Sequence, residues 1–282
     1  MRPRASSEGG ASAGRFRGRA AGVLFAAVLL ACASARDAMG CTAVPDPVRD
    51  INAVDYRTGP GGMTIDSSLR ARNDAAMEPQ RTFVRIVSSG ADHYIADNKT
   101  TAADCVLTAL RDWANGGALL GAMANAQADR ERSGLTSGIA FAYLKTKDAA
   151  SLEDQQTIEA WLNKLASGVE SAFGDPARPA NRSLALAGLA TMAVGVATGN
   201  GDHQRFGEAA FDQSARAIDE QGVLEIEMGG GERALFDQDF ALGNLVMTAE
   251  LAAKQSGEDW YSRHDGASTS PRQTASRQAR PS

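Results

Sequence analysis

The chain has little of what most enzymatic chemistry draws on. Three histidines and three cysteines are spread over 282 residues, and HExxH, CxxC and G-x-S-x-G are all missing. A zinc hydrolase, a thiol redox centre and an elbow-type serine hydrolase therefore lack their ligands or their nucleophile, and no metal site is expected. Aromatic residues make up only 6%, and no alternation of β-branched residues lasts more than a few positions, which removes the pattern of a half-buried sheet. Alanine and leucine are abundant instead, and the composition points to an all-α protein.

Positive charge is also scarce where it matters. The formal net charge is −5, and setting aside residues 1–35 (five Arg, one Glu) and residues 267–282 (three Arg) leaves residues 36–266 at −12. Such acidity argues against nucleic acid as a partner, and any anionic ligand has to meet a local cationic site.

The two ends read as separate from the fold. In residues 1–35, Arg2, Arg4, Arg15, Arg17 and Arg19 precede the apolar run Ala20 to Ala33, and Ala33-Ser34-Ala35 is an A-x-A cleavage site. That is an export signal, so a periplasmic or secreted protein is expected. The run is too short to span a bilayer comfortably, and no stable span is expected in the mature chain. Leu29-Leu30-Ala31-Cys32 partly matches a bacterial lipoprotein box, which keeps a lipid anchor at Cys32 as the alternative. Export leaves Cys41 and Cys105, which either form a bridge or remain two unrelated thiols. Residues 267–282, rich in Ser, Thr, Gln, Arg and Pro, read as a disordered tail.

Between the ends, residues 36–266 read as one helical domain. Pro45, Pro47 and Gly59-Pro60-Gly61-Gly62 mark loop up to Pro79, with a short helix over Ile65 to Met77. Thr100 or Thr101 is the expected cap of the next helix, whose face is Val106, Leu110, Trp113 and Ala114 and which breaks at Gly116-Gly117. A further segment runs through Met123 and Ala126, and Leu135, Ile139, Ala142 and Tyr143 form another stripe. Ser151 and Asp154 start a capping box ahead of Ile158, Trp161, Leu162, Leu165 and Val169. The helix from Ser183 to Thr198 has almost no polar face, which predicts burial between two layers, and Gly199-Asn200-Gly201-Asp202 stops it. Phe206 to Ile218 and Leu242 to about Ser256 give two more helices. Alternating amphipathic and wholly apolar helices fit a two-layer helical ring, with a bundle or solenoid as the alternative.

Chemistry-bearing residues cluster between Asn181 and Phe240. Asn181-Arg182-Ser183 opens the apolar helix, and Glu227 leads through Gly229-Gly230-Gly231 to Arg233, Asp237, Asp239 and Phe240. These residues, with Asp104-Cys105 to Ala118, Leu162 to Val169 and Ala217-Ile218-Asp219-Glu220-Gln221-Gly222, resemble in order the alginate lyases of polysaccharide lyase family five. The resemblance covers Cys41 to Gly266. It implies an incomplete (α/α) toroid of antiparallel helical hairpins, truncated at the C-terminus because the family continues with further helices. It also implies a metal-free and cofactor-free site, an anionic uronate polysaccharide as partner, a monomer, and a disulfide between Cys41 and Cys105.

β-Elimination of a 4-linked uronate needs three things: a neutralised C6 carboxylate, a base for the C5 proton and an acid for O4. By resemblance Asn181 and Arg233 form the carboxylate clamp. The family's histidine and tyrosine correspond to Arg182 and Phe240, which cannot exchange protons near neutrality. Replacement carriers are sought among Asp237, Asp239 and Glu227, with Tyr56, Tyr94 or His93 reaching in; Arg182, Phe240, Glu227 and Tyr56 are the expected substrate contacts. Asn181 has a plainer reading as a helix cap, and the acids of the last helix one as first-turn carboxylates favoured by the helix dipole. The expected function is an exported lyase cleaving polymannuronate. Its rivals are a binding relative without turnover and a hydrolase using two of Glu227, Asp237 and Asp239.

Overall fold

Polar side-chain oxygens of Asp, Asn and Ser residues fix where five of the eight described α-helices begin. In the computed structural model, which describes residues 40–263 except 60, 61 and 63, Asp66 caps α1 (Ser67–Asp97) and Lys99 precedes α2 (Thr100–Asn115) without a side-chain cap. Asn125 caps α3 (Ala126–Thr146) and Ser151 caps α4 (Leu152–Phe173). Asn181 caps α5 (Arg182–Thr198) and Asn200 caps α6 (Gly201–Arg216). A single turn, α7 (Glu225–Met228), leads to α8 (Ala234–Ser256). A two-residue hairpin, β1 (Arg57–Thr58) against β2 (Thr64–Ile65), is the one sheet among the described residues. The export signal, Cys32 and the tail 267–282 lie outside the described residues.

The helices form two layers. Successive inner helices α1, α3, α5 and α8 pack side by side, while α2, α4 and α6 lie against their outer faces, each filling the gap between inner neighbours. This is the two-layer arrangement that the alternation of helix types fits, rather than the bundle or solenoid held as its alternative. Within it, α5 is the most enclosed element, touching α3, α4, α6 and α8; twelve of its residues are buried, from Leu184 to Ala197. Its approach to α6 depends on small residues: a Cβ on Gly188 would stand 2.8 Å from that of Ala210, and one on Gly207 would stand 2.9 Å from the Gly188 carbonyl. The main core continues through α1, α2 and α4, where Phe83 stacks on Trp113 with centroids 3.5 Å apart. Both buried indoles there are satisfied, Trp113 donating to the Pro45 carbonyl and Trp161 to that of Ala118. Cys41 and Cys105 form a disulfide.

Several local expectations change. α1 is one helix of 31 residues with Pro79 inside it, not a short helix ending at Met77. Pro79 costs one backbone bond, but Met77, Phe83, Val87 and Ala91 are buried on either side of it, and that packing carries the helix through. Neither Thr100 nor Thr101 is the α2 cap. Residues 116–125 form a loop rather than a helix through Met123, tied to the N-terminal arm by the Ile51 to Met123 bridge and by Leu119 N donating to the Val48 carbonyl. The capping box at Ser151, the fully apolar α5 and the stop at Gly199, with φ of +71°, are as expected.

Candidate active site

The inner ring opens onto a cavity of about 640 Å³. All four inner helices line it: α1 through Arg81, Val84 and Arg85, α3 through Gln127, Arg130 and Glu131, α5 through Arg182 and Leu186, and α8 through Phe236, Asp237 and Phe240. The β1 hairpin adds Tyr56 and Arg57, and Arg233 enters from just before α8. Residues from the first turns of α3, α5 and α8 (Gln127, Arg182 and Ser183, Phe236 and Asp237) are among the lining residues. Seven arginines line the cavity against two carboxylates, Glu131 and Asp237. This is the local cationic site that an acidic chain needs in order to hold an anion.

Asp237 ties the cavity wall together. It is 1% exposed and accepts from Arg57 Nη1 (3.3 Å) and Nη2 (3.1 Å), with Arg182 Nη1 at 3.4 Å and Arg233 Nη2 at 3.5 Å. Burial alone would raise this carboxyl; the Arg57 hydrogen bond and the charges of Arg182, Arg57 and Arg233 outweigh it and hold the group below the ordinary carboxylate range. Glu227, also 1% exposed, takes the backbone N–H of Arg182 and its Nη1, both at 2.6 Å. Both acids thus contact guanidinium groups, Asp237 those of Arg57, Arg182 and Arg233 and Glu227 that of Arg182.

The other expected site residues separate. Arg182, Arg233, Phe240 and Tyr56 line the cavity together with Asp237, whereas Asn181, Asp239 and Glu227 are not among its lining residues. The Asn181 oxygen accepts from the N–H groups of Ser183 (3.0 Å) and Leu184 (3.1 Å), which is a helix cap. Asp239 is exposed on the α8 surface. His93 pairs with Asp97 at 3.7 Å on an exposed face, and neither it nor Tyr94 reaches the cavity. The guanidinium of Arg233 lies 4.4 Å over the Phe236 ring, and Phe236 and Phe240 face one another at 6.5 Å, 13° from parallel.

Sequence reading missed Arg57, Arg70, Arg81, Arg85 and Arg130. Arg81 and Arg85 stand four apart on one helix face, a spacing that reads equally well as a solvated surface. Arg57 and Arg130 come from segments far apart in sequence and meet only through the ring. Arg81 bonds Asp74 and Glu131, both at 2.7 Å. Glu131 also accepts from Asn73 (3.2 Å) and Gln127 (3.0 Å), so this wall of the cavity is one bonded network.

Comparison with known proteins agrees with this geometry. The family model for alginate lyase matches residues 53–270. A polysaccharide lyase of Stenotrophomonas maltophilia (strain K279a) is 37% identical over 236 residues, covering 83% of this chain and 70% of that protein. An alginate lyase of Pseudomonas syringae pv. tomato is 29% identical over 238 residues, covering 80% and 62%. Among solved structures, a Tyr-to-Phe variant of alginate lyase A1-III complexed with a tetrasaccharide is similar at a TM-score of 0.73 and 24% identity, covering 81% of this chain and 65% of that one. A His-to-Ala variant of the same lyase, also complexed with a tetrasaccharide, gives the same TM-score. The present chain thus spans between 62% and 70% of the length of these relatives. The fold is that of the (α/α) toroids, and the chain belongs to the alginate lyase family.

Proposed function

We propose that this protein binds a 4-linked uronate polysaccharide, polymannuronate first among them, along its arginine-lined cleft and cleaves it by β-elimination. The observation that carries this reading is the concentration of seven arginines around one cavity in an otherwise acidic member of the alginate lyase family. On α1 alone Arg70, Arg81 and Arg85 span roughly 22 Å of helix, which suits a chain of carboxylates better than a single sugar. Arg182 and Arg233 are assigned to the carboxylate at the cleavage point. Drawing charge from that carboxylate makes the C5 proton acidic and stabilises the enolate-like transition state.

Proton transfer falls to Tyr56. With Asp237 and Glu227 bound to arginines and Phe240 lacking a hydroxyl, Tyr56 is the phenol among the cavity-lining residues. As phenolate it takes the C5 proton, and as phenol it returns that proton to O4 while the C4–O4 bond breaks and the C4–C5 double bond forms. No external acid or base is consumed. Asn181 enters through its cap, which fixes the first turn of α5 and so the position of Arg182. Export to the periplasm or beyond suits a polysaccharide substrate, and a disulfide suits an oxidising compartment.

The test is the appearance of ultraviolet-absorbing unsaturated ends when the purified chain is mixed with polymannuronate. Tyr56→Phe is expected to lower turnover by about 10²-fold or more while leaving binding intact. Product formation equal to wild type in that variant would remove Tyr56 from the chemistry. A second reading, a binding protein without turnover, is favoured by Arg182 and Phe240 in place of the family's proton pair; the tetrasaccharide complex of the Tyr-to-Phe lyase variant is consistent with it. Binding without any unsaturated product would select it.

A further inference from the structure

Charge around the cavity is mostly answered. Arg57 and Arg233 meet Asp237, Arg182 meets Glu227 and Asp237, and Arg81 meets Asp74 and Glu131. Arg70 is exposed with Asp74 at 3.9 Å, and Arg85, also exposed, donates to the Thr82 hydroxyl. Arg130 differs. It is half-buried in the cavity wall, and among the described residues no carboxylate lies within ion-pair distance of it. Burial pushes its guanidinium down from the ordinary value; the charge of Asp55 opposes this, those of Arg182 and Arg57 add to it, and the net direction is down. A cation in this setting is costly to hold unless an anion comes to it.

The arginine is nonetheless held firmly. Its Nε and Nη2 both donate to Gln127 Oε1, at 3.0 and 2.7 Å. Gln127, 6% exposed, donates in turn to Glu131, which Arg81 and Asn73 also reach. Two of the five guanidinium hydrogens are thereby used, on the side edge of the fork, and the end edge formed by Nη1 and Nη2 keeps three. That end edge is the face that receives both oxygens of a carboxylate.

We propose that Arg130, oriented by Gln127, is a substrate-binding residue that takes one uronate carboxylate end-on. This rests on the reading of the cleft as a uronate site. A charged fork held by a buried amide and left without an acid is prepared for an anion that arrives with the ligand. The planar geometry favours carboxylate over a point anion.

The experiment is calorimetric titration of the full chain with polymannuronate and with its carboxyl-reduced counterpart, for wild type, Arg130→Gln and Arg130→Lys, alongside thermal unfolding of each. Arg130→Gln is expected to weaken binding at least about tenfold while its Tm stays level or rises, because an unanswered buried charge has been removed. Arg130→Lys keeps a charge but loses the fork, so it recovers the salt dependence of binding without the affinity. Reduced polymer is expected to bind wild type and Arg130→Gln equally weakly. Arg130→Gln binding as tightly as wild type, Arg130→Lys binding as tightly as wild type, or a lowered Tm that marks a structural role, would each overturn the assignment. Wild type failing to bind polymannuronate would instead remove the reading of the cleft, and this inference with it.

Discussion

Asp237 and Asn181 each carry out a residue-scale task that sequence alone could not assign. Asp237 holds three guanidiniums at one buried point, so replacing it leaves like charges facing each other out of water. Asp237→Asn is expected to cost about 3–5 kcal/mol at neutral pH, read from denaturant unfolding. The folded-state carboxyl lies below its ordinary value, so its contribution is complete above the ordinary pKa of about 3.9 and is lost as pH falls below it. Wild type and Asp237→Asn should therefore converge in stability in that acidic window, whereas a gap that persists there would contradict the sign. Asn181→Ser keeps the cap oxygen and removes the amide N–H groups. Unchanged stability together with unchanged polymannuronate affinity would restrict Asn181 to its cap, while lost affinity would make its amide part of the carboxylate clamp. The sequence singled out Asn181 and Arg233 by resemblance to the family's carboxylate clamp, Arg182 at the place of the family's histidine, and Asp237 four residues past Arg233. It could not show that Asp237 and Glu227 are taken up by arginines, since that depends on Arg57 and on the fold of α5 against α8.

At the scale of elements, legibility followed side-chain contrast. The fully apolar α5 announced its own burial, and Ser151 and Gly199 announced a start and a stop, because each carries a strong local preference. α1 was obscured: charged residues dilute its apolar face and Pro79 interrupts it, while the contacts that override the proline come from α2 and α3. The contact of α5 on α6 depends on facing glycines, Gly188 and Gly207. Gly207→Ala would bring a Cβ to 2.8 Å from that of Met192 and 2.9 Å from the Gly188 carbonyl. A loss of about 1–3 kcal/mol is expected, as for other overpacked positions, measured as a lowered unfolding midpoint at unchanged slope. A neutral or stabilising result would show that the two helices separate more easily than their packing implies.

For the whole molecule, the central feature is a cationic well in an acidic body. Long-range forces repel a polyanion from most of the surface and short-range forces hold it in the ring; as the Debye length contracts from about 30 to about 8 Å between low and physiological salt, the repulsion is screened more than the partly buried contacts. Reduction of the Cys41–Cys105 disulfide should lower stability by about 2–5 kcal/mol, since it closes a long loop in the unfolded chain. α8 keeps Leu235, Phe236, Phe240, Val246 and Met247 exposed, and two of these, Phe236 and Phe240, line the cavity. The measurement that bears most directly on the proposed role of the cleft is calorimetric titration of the intact chain with polymannuronate at low ionic strength, repeated with the carboxyl-reduced polymer. Saturable binding of the acidic polymer that disappears when its carboxyls are reduced is the expected result. Equal binding of both polymers, or of neither, would contradict it.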